Sequence, residues 1–413
     1  SLNAGAVAVV GRTRVVPTPR HAKDPMFILV LGSILGLMHL YVWKRTVKDT
    51  TSPGRTRVLL SAALVLLLAL LISALVLPRT LGVTHTGWVA WPGYLWFGVV
   101  VYLFLLLLAV EPVRLVLWLA RRRRRTDPPA AAPAVDRRVF LARTTAAAAG
   151  VAAVGLVGVG ATTALRRPDL IRVPVRLRRL DPALDGFRIA VVSDIHLGPL
   201  RGRAHTERIV SMINATEPDL VAVVGDLVDG TVAELGSAAQ PLQDLVSREG
   251  TFFVTGNHEY FVEDTAEWLT ELERFGMNVL RNESTRIRRG SGGFVLAGVN
   301  DPAGESDSAG PDYERALAGV TPDQPTILLA HQPVQVQQVA QRGVDLQLSG
   351  HTHGGQMWPF HYAVELAQPA LAGLSEVDGT QLYVTRGAGF WGPPVRIGAP
   401  PDISVLTLRS DSV

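Results

Sequence analysis

Cysteine is absent from the 413 residues, which excludes disulfides and thiolate metal sites. Any bound metal must therefore rest on oxygen and nitrogen donors. Charge is also scarce, at 18% of residues against 48% hydrophobic. The apolar excess is concentrated before about residue 165, so the average describes two different objects. The net charge of +4 is modest, and no Lys/Arg stripe with interleaved aromatics runs through the second half. Nucleic-acid binding is not expected on that basis. No internal repeat of fixed period is present.

What the first part does have is long apolar runs. They span about 26–43, 58–77 and 87–110, with a weaker Ala/Gly/Val-rich run at 144–165. Each is long enough to cross a hydrocarbon core of roughly 30 Å. Trp88, Trp91, Tyr94 and Trp96 gather toward the start of the third run, as an interfacial belt does. Few polar residues interrupt the runs, His39 being the main one, so no ion or substrate path is evident in them. An all-α transmembrane region of about four helices is expected over 1–168, with a basic linker at 111–143. Within that linker Asp136-Arg137-Arg138-Val139-Phe140-Leu141 resembles a twin-arginine export signal placed internally, and 126–134 reads as a Pro/Ala-rich flexible stretch.

The basic residues set an expected orientation. Lys44, Arg45, Lys48, Arg55 and Arg57 follow the first run; Arg114, the block 121–125, Arg137, Arg138 and Arg143 follow the third. The connector between the second and third holds only Arg79. Positive connectors stay cytoplasmic. Four crossings then put the chain after about residue 166 outside a cytoplasmic membrane, although Arg12, Arg14, Arg20 and Lys23 before the first run and the arginines of 166–179 pull the other way. The latter segment is expected to lie against anionic headgroups, making the lipid bilayer a partner.

Residues 169–413 read as one α/β unit. Strand-like runs are expected at 187–193, 220–224, 251–254, 293–299, 326–330, 346–349, 381–385 and 403–408. Helices are expected at 205–215, 238–245 and 265–275. This alternation, followed by a strand-rich stretch, predicts stacked sheets flanked by helices. Five polar motifs begin where apolar runs stop: Asp194-Ile195-His196, Gly225-Asp226-Leu227-Val228-Asp229, Gly256-Asn257-His258-Glu259, Ala330-His331-Gln332-Pro333 and Gly350-His351-Thr352-His353-Gly354-Gly355-Gln356. Ligands bind beyond the carboxyl ends of strands in open α/β sheets, so residues distant in sequence can meet there. Gly225, Gly256 and Gly350 precede candidate ligands, where tight turns leave no room for a Cβ. Asp, Asn and His are good donors for hard or borderline divalent cations, which makes a two-metal phosphoester hydrolase the leading reading.

The five motifs, in this order, resemble those of the calcineurin-like metallophosphoesterase superfamily, over roughly 169–413. Leu328-Leu329-Ala330-His331-Gln332-Pro333, His353-Gly354-Gly355-Gln356 and Pro394-Val395-Arg396-Ile397-Gly398 resemble its bacterial membrane-anchored or exported branch. The resemblance implies an α/β/β/α fold of stacked sheets and two divalent metal ions, from Mn, Fe, Zn or Mg. It implies that Asp194, His196 and His353 bind the first metal, that Asn257, His331 and His351 bind the second, and that Asp226 bridges them. A metal-bridging hydroxide would attack phosphorus in line. His258 would contact the phosphoryl group and protonate the leaving oxygen, with Asp229 orienting its imidazole and Glu259 structural. Gly230 stands where eukaryotic-type protein phosphatases of the superfamily carry an Arg, which argues against a protein phosphatase.

The substrate class is thus a phosphomonoester or phosphodiester, with a lipid-linked or envelope ester favoured by the membrane region and a pyrophosphate in a nucleotide-linked lipid kept open. A membrane anchor on an enzyme for soluble diesters is a second reading. A membrane sensor or transporter whose outer domain binds a phosphorylated ligand without turnover is the alternative from another class; the intact motif set speaks against it. His21, His39, His85, His205 and His361 fall outside the motifs and read as structural or surface residues, with His205 close enough to the first motif to reach the site mouth. Arg386 and Trp391 read first as packing residues and second as pocket lining.

Overall fold

The computed structural model describes residues 25–123, 134–262, 265–321 and 323–411. The block 124–133, with most of the flexible stretch, the tail carrying Arg12, Arg14, Arg20 and Lys23, and His21 lie outside the described residues. Five α-helices come first: α1 (Pro25–Trp43), α2 (Arg55–Leu81), α3 (Gly87–Ala109), α4 (Glu111–Arg123) and α5 (Ala134–Leu165). Among the described residues three stretches are long and apolar enough to cross a membrane: Arg55–Leu81, Gly87–Ala120 and Arg137–Leu165. Two departures from the expected pattern stand out. The segment 111–123, read as connector, is helical, and α5 starts ten residues early, so Arg137 and Arg138 lie inside it.

Apolar side chains such as Leu59, Val65, Leu66, Val151 and Val154 point outward from this bundle. Helices that are apolar all round need an apolar surrounding. At Gly93 the missing Cβ lets α3 close on Ala74 and Leu70 of α2, the small-residue contact that membrane helices use. At one end of the bundle Arg45 pairs with Asp49 (2.9 Å) and Glu111 (2.6 Å), Arg114 pairs with Glu111 (2.9 Å), and Arg143 donates to the Thr50 carbonyl (2.9 Å). The half of the chain after α5 packs at the other end.

That half holds two six-stranded sheets. Strands β1 (Asp169–Leu177), β2 (Arg188–Val192), β3 (Leu220–Val224), β4 (Thr251–Val254), β5 (Met277–Val279) and β12 (Asp402–Ser410) form the first, in the order β1-β12-β2-β3-β4-β5. Strands β6 (Glu283–Arg289), β7 (Gly292–Gly298), β8 (Thr326–Leu329), β9 (Leu346–Ser349), β10 (Gly373–Val377) and β11 (Thr380–Val384) form the second, in the order β10-β11-β9-β8-β7-β6. Both are mixed: β2 to β5 run parallel, β12 is antiparallel to β2, and β6 and β10 are antiparallel to their neighbours.

Period-2 geometry sends alternate residues to opposite faces. Ile189 and Val191 face the second sheet, in one core with Phe294, Leu296, Ile327 and Leu348. Ala190 and Val192 face α6 (Arg203–Asn214), α7 (Val232–Ala239) and α8 (Thr265–Arg274), in a core with Ile209, Leu235 and Trp268. Both faces of the central strands are covered, which is why they read as unbroken apolar runs.

The helix expected at 238–245 is displaced. Thr231 and Glu234 form a capping box that starts α7 at Val232, and Pro241 turns the continuation into a 3-10 segment, Gln240–Asp244. The four strands that the apolar pattern does not mark are β1, β5, β6 and β10, the four sheet edges. Their side chains are half exposed, and β1 and β6 place arginines at alternating outward positions. The basic segment after the last apolar helix is therefore an edge strand. Trp268 fills the space between α8 and β3–β4 and donates Nε1–H to the Gly230 carbonyl (2.8 Å). Trp268→Ala should cost roughly 3–5 kcal/mol through the cavity and the orphaned carbonyl, seen as a lowered thermal midpoint of the detergent-solubilised chain.

Candidate metal centre

All five motifs sit on the carboxyl ends of central strands. Within two or three residues of its end β2 leads into Asp194, β3 into Gly225-Asp226, β4 into Gly256-Asn257, β8 into His331 and β9 into Gly350-His351. Three strands of one sheet and two of the other thus aim at one point. To turn so sharply the chain enters the left-handed region at Asp194 (φ 53°), His196 (φ 49°), Asp226 (φ 52°), His351 (φ 68°) and His353 (φ 52°). Non-glycine residues reach that region at an energetic cost, and such strain clusters at functional sites.

Three overlapping groups result: Asp194 with His196 and His353; His196 with Asp226 and His258; Asp226 with His331 and His351. Asn257 joins the third group through Oδ1, 2.9 Å from His351 Nδ1. All nine sequence-predicted residues are therefore gathered in one place. His196 Nε2 lies 3.1 Å from His353 Nε2, and His353 Nε2 lies 3.3 Å from Asp194 Oδ1. Asp226 Oδ2 stands between the groups, 3.2 Å from His331 Nε2 and 3.7 Å from His196 Nε2.

The donor set fits a divalent cation. The Val224 carbonyl can only accept, so His331 must donate through Nδ1 (2.7 Å), which turns Nε2 inward. That Nε2 is buried and makes no well-aligned hydrogen bond, with Asp226 Oδ2 its polar neighbour at 3.2 Å. His196 Nδ1 likewise contacts the Asp229 carboxylate (3.1 Å) and leaves its Nε2 facing the centre. Imidazole and carboxylate donors without sulfur suit Mn, Fe, Zn or Mg.

Electrostatics follow from burial and close packing of charge. Burial opposes ionisation of Asp226, but His331, His258 and His196 outweigh it and hold the carboxyl well below its ordinary range. Burial and Asp226 push Asp194 up. Burial followed by Arg396 keeps His353 neutral, its pKa well below the usual value. For His258 burial is outweighed by Asp226 and Asp229, which raise it to about 9. Its Nδ1 is 2.6 Å from Asp229 Oδ1. The same Asp229 oxygen serves His196, so one carboxylate orients two rings.

Several side chains support the centre through contacts that the motifs do not state. Glu259 accepts from three buried backbone N–H groups, Asp226 (3.0 Å), Leu227 (2.8 Å) and Gly256 (2.6 Å), clamping two motif loops together. Arg396 is fully buried and donates to the carbonyls of His353 (2.7 Å), Arg386 (2.9 Å) and Gly389 (3.0 Å). Its place in the tail motif Pro394–Gly398 is its only signal in the sequence. Buried Asp301 accepts from Gln332 Nε2 (2.9 Å) behind His331. Phe261 and Trp391 stand beside His258, with ring centroids 5.1 and 5.7 Å away. Arg386 is occupied by Asp402 (2.7 Å), and His205 on α6 belongs to none of the three groups. Gly230 packs against Val83 of the α2–α3 turn, where a side chain would collide.

The family model of the calcineurin-like phosphoesterases matches residues 187–355. A transmembrane protein with metallophosphoesterase domain from Danio rerio is 35% identical over 93% of this chain and 89% of its own length. The relative of the same description from Bos taurus is 40% identical over 61% of this chain. A metallophosphoesterase of uncharacterised function from Helicobacter pylori is 41% identical over 59% of this chain. The chain spans 60% of the bovine relative's length and 65% of the Helicobacter one's.

Two glycines with matching backbone separate strain from collision. Gly225 (φ 84°) packs against Gly256 and His331 Nδ1, whereas Gly186 (φ 81°) has open space around it. Gly186→Ala should cost only the left-handed penalty of about 1–2 kcal/mol. Gly225→Ala should cost more and also lower metal content, read by thermal unfolding and elemental analysis of the two variants side by side.

Proposed function

The chain belongs to the calcineurin-like metallophosphoesterase family, and from that premise we propose that it is a membrane-anchored hydrolase of phosphomonoesters or phosphodiesters. The observation that carries this reading is the position of Asp226 Oδ2 between His331 and His196, each the inward-facing member of a separate donor group. In the proposal Asp194, His196 and His353 hold one divalent cation, Asn257, His331 and His351 hold a second, and Asp226 serves both. When bound, the pair supplies Lewis-acid charge on the phosphoryl oxygens and activates the attacking water.

The chain's own residues do the rest. Asp229 fixes His258 through Nδ1, which leaves Nε2 to meet the leaving oxygen. The Asp229 carboxylate against Nδ1 favours the protonated ring, which can give its Nε2 proton as the P–O bond breaks. Phe261 and Trp391 border the ring and shield it from bulk water. A module that only binds phosphate has no use for a carboxylate-oriented acid, so the His258–Asp229 pair favours turnover over a sensor or transporter. Gly230, packed against Val83, Glu234 and Leu235, stands where a protein phosphatase carries its arginine, and a side chain there would have to displace all three.

The membrane reading rests on the apolar helices and on where basic side chains collect. Arg45, Arg114 and Arg143 lie at the bundle end away from the metal centre, which supports a cytoplasmic face there and a catalytic half outside. A lipid-linked or envelope phosphoester fits such a placement.

Asp226→Asn should weaken retention of both cations and nearly abolish hydrolysis of a chromogenic phosphodiester. His258→Ala should keep its metal content and slow the chemical step by about 10²–10⁴-fold. Loss of both metals from the His258 variant would contradict its role as acid. A turnover screen of mono-, di- and pyrophosphate esters, lipids included, with metal analysis of the same sample, identifies the ester class.

A further inference from the structure

Two loops next to the metal centre leave the catalytic half and pack along the helices. Met357 and Val395 belong to the same buried cluster as Val100, Val101, Tyr102, Leu103 and Val157 of the bundle. The Arg396 N–H donates to the Gly160 carbonyl of α5 (2.9 Å). Tyr102 Oη donates to the Trp358 carbonyl (2.8 Å). Tyr102 lies fifteen residues past the start of α3, roughly 22 Å along its axis.

The depth of this contact can be placed. The apolar stretch 87–120 has 34 residues. About 20 suffice to cross the hydrocarbon core, so one end of the stretch stands clear of it. The starting end is the one packed against catalytic loops, at Gly87 against the Pro199 carbonyl and at Gly98 against Val395. Glu111 and Arg114 already belong to the charged end, so depth is counted along α5. Gly160 lies seventeen residues past Arg143, roughly 25 Å from the charged end and near the far boundary of the core. Trp358 is at that level, since its N–H donates to the carbonyl of Ile397 (3.0 Å), next to Arg396.

At that level the chain turns outward into a short helix, His361–Glu365. Its apolar side chains are uncovered: Trp358 is 55% exposed, Phe360 44%, Tyr362 62% and Leu366 91%. Across 357–374 the one formally charged residue is Glu365. Aromatic residues of this kind prefer the headgroup boundary of a bilayer. The segment is also tied to the catalytic mouth. Gln356 Nε2 donates to the carbonyls of Trp391 (2.9 Å) and Pro393 (3.2 Å), and its Oε1 accepts from the Trp391 N–H (3.0 Å). Trp391 in turn borders His258.

We propose that the Trp358–Leu366 segment is a ledge seated in the lipid interface on the catalytic side of the membrane, joined through Gln356 and Trp391 to the mouth of the metal centre. Its partner is the bilayer itself. The ledge is continuous with the apolar surface of the helices, and the inference rests on reading those helices as membrane spans. The consequence is that the mouth opens at headgroup height.

Because the chain has no cysteine, a single introduced one is a unique label site. Nitroxides would be placed at Tyr362→Cys and Leu366→Cys in the full chain, reconstituted into vesicles of equal parts phosphatidylcholine and phosphatidylglycerol. Leu66→Cys on the outward face of α2 and Ser291→Cys in the exposed β6–β7 turn, at the strand ends opposite the centre, are the references. The expected result is relaxation by dissolved oxygen and protection from an aqueous nickel complex at 362 and 366, as at 66 and unlike 291. Nickel access at 362 and 366 equal to that at 291, with 66 protected, would overturn the ledge. Nickel access at 66 as well would overturn the membrane reading beneath it. Spin–spin broadening at 366 that disappears on dilution with unlabelled chain would assign the patch to a second copy and overturn the proposal too.

Discussion

The carboxylate of Asp226 is held by backbone rather than by chance, and the rest of the centre depends on that. Its Oδ1 accepts the His258 N–H (2.8 Å), while its own N–H is taken by Glu259. Glu259 simultaneously binds the backbone of the Gly256 turn, so the β3 and β4 loops are locked edge to edge. Gly225 and Gly256 lack side chains at the point where these loops touch, and a Cβ on either would strike the other loop. With both loops fixed, Oδ2 has one place to go, between His331 of the second sheet and His196 of the first. The two sheets can converge on it because their central strands are buried on both faces and cannot slide against each other.

A second constraint ties this centre to the helices. Arg396 satisfies carbonyls of the His353 and Gly389 loops with its guanidinium and reaches α5 with its backbone N–H. Arg201, stacked on Phe390, donates to the Ile195 carbonyl (3.2 Å), and its other nitrogen approaches Ala164 near the end of α5 (3.4 Å). From the other side Glu234 accepts the Val83 N–H (3.0 Å) and so ties the α2–α3 turn to α7. Buried guanidinium and carboxylate groups demand that every partner be present. The helical part is thereby a wall of the catalytic half and not a tether trailing from it.

Much of this was legible beforehand, for a physical reason that also explains the exceptions. Strands β2, β3, β4, β8 and β9 are buried on both faces and announce themselves as short apolar runs ended by Gly, Asp or His. The edge strands β1, β5, β6 and β10 present one face to solvent, and their mixed composition carries little signal. The shift of α7 to Val232 came from a capping box and a proline that outweigh apolar periodicity. In the centre, the short motifs supply the Asp, Asn and His side chains that converge there. Glu259 and Arg396 act through backbone groups distant in sequence, so nothing in their local pattern states their partners.

By itself the sequence determined the donor chemistry: no thiolate, Asp, Asn and His at the ends of apolar strands, and helices with no polar face to offer water. These are local properties, set by residue type and spacing. The tertiary structure alone decided which donors share a point, since that depends on parallel register across two sheets. It also decided that Asp229 serves both His196 and His258, and that Trp358 sits against Tyr102, 256 positions earlier in the chain. Contacts at such separation are fixed by packing and loop closure, which no short stretch of chain encodes.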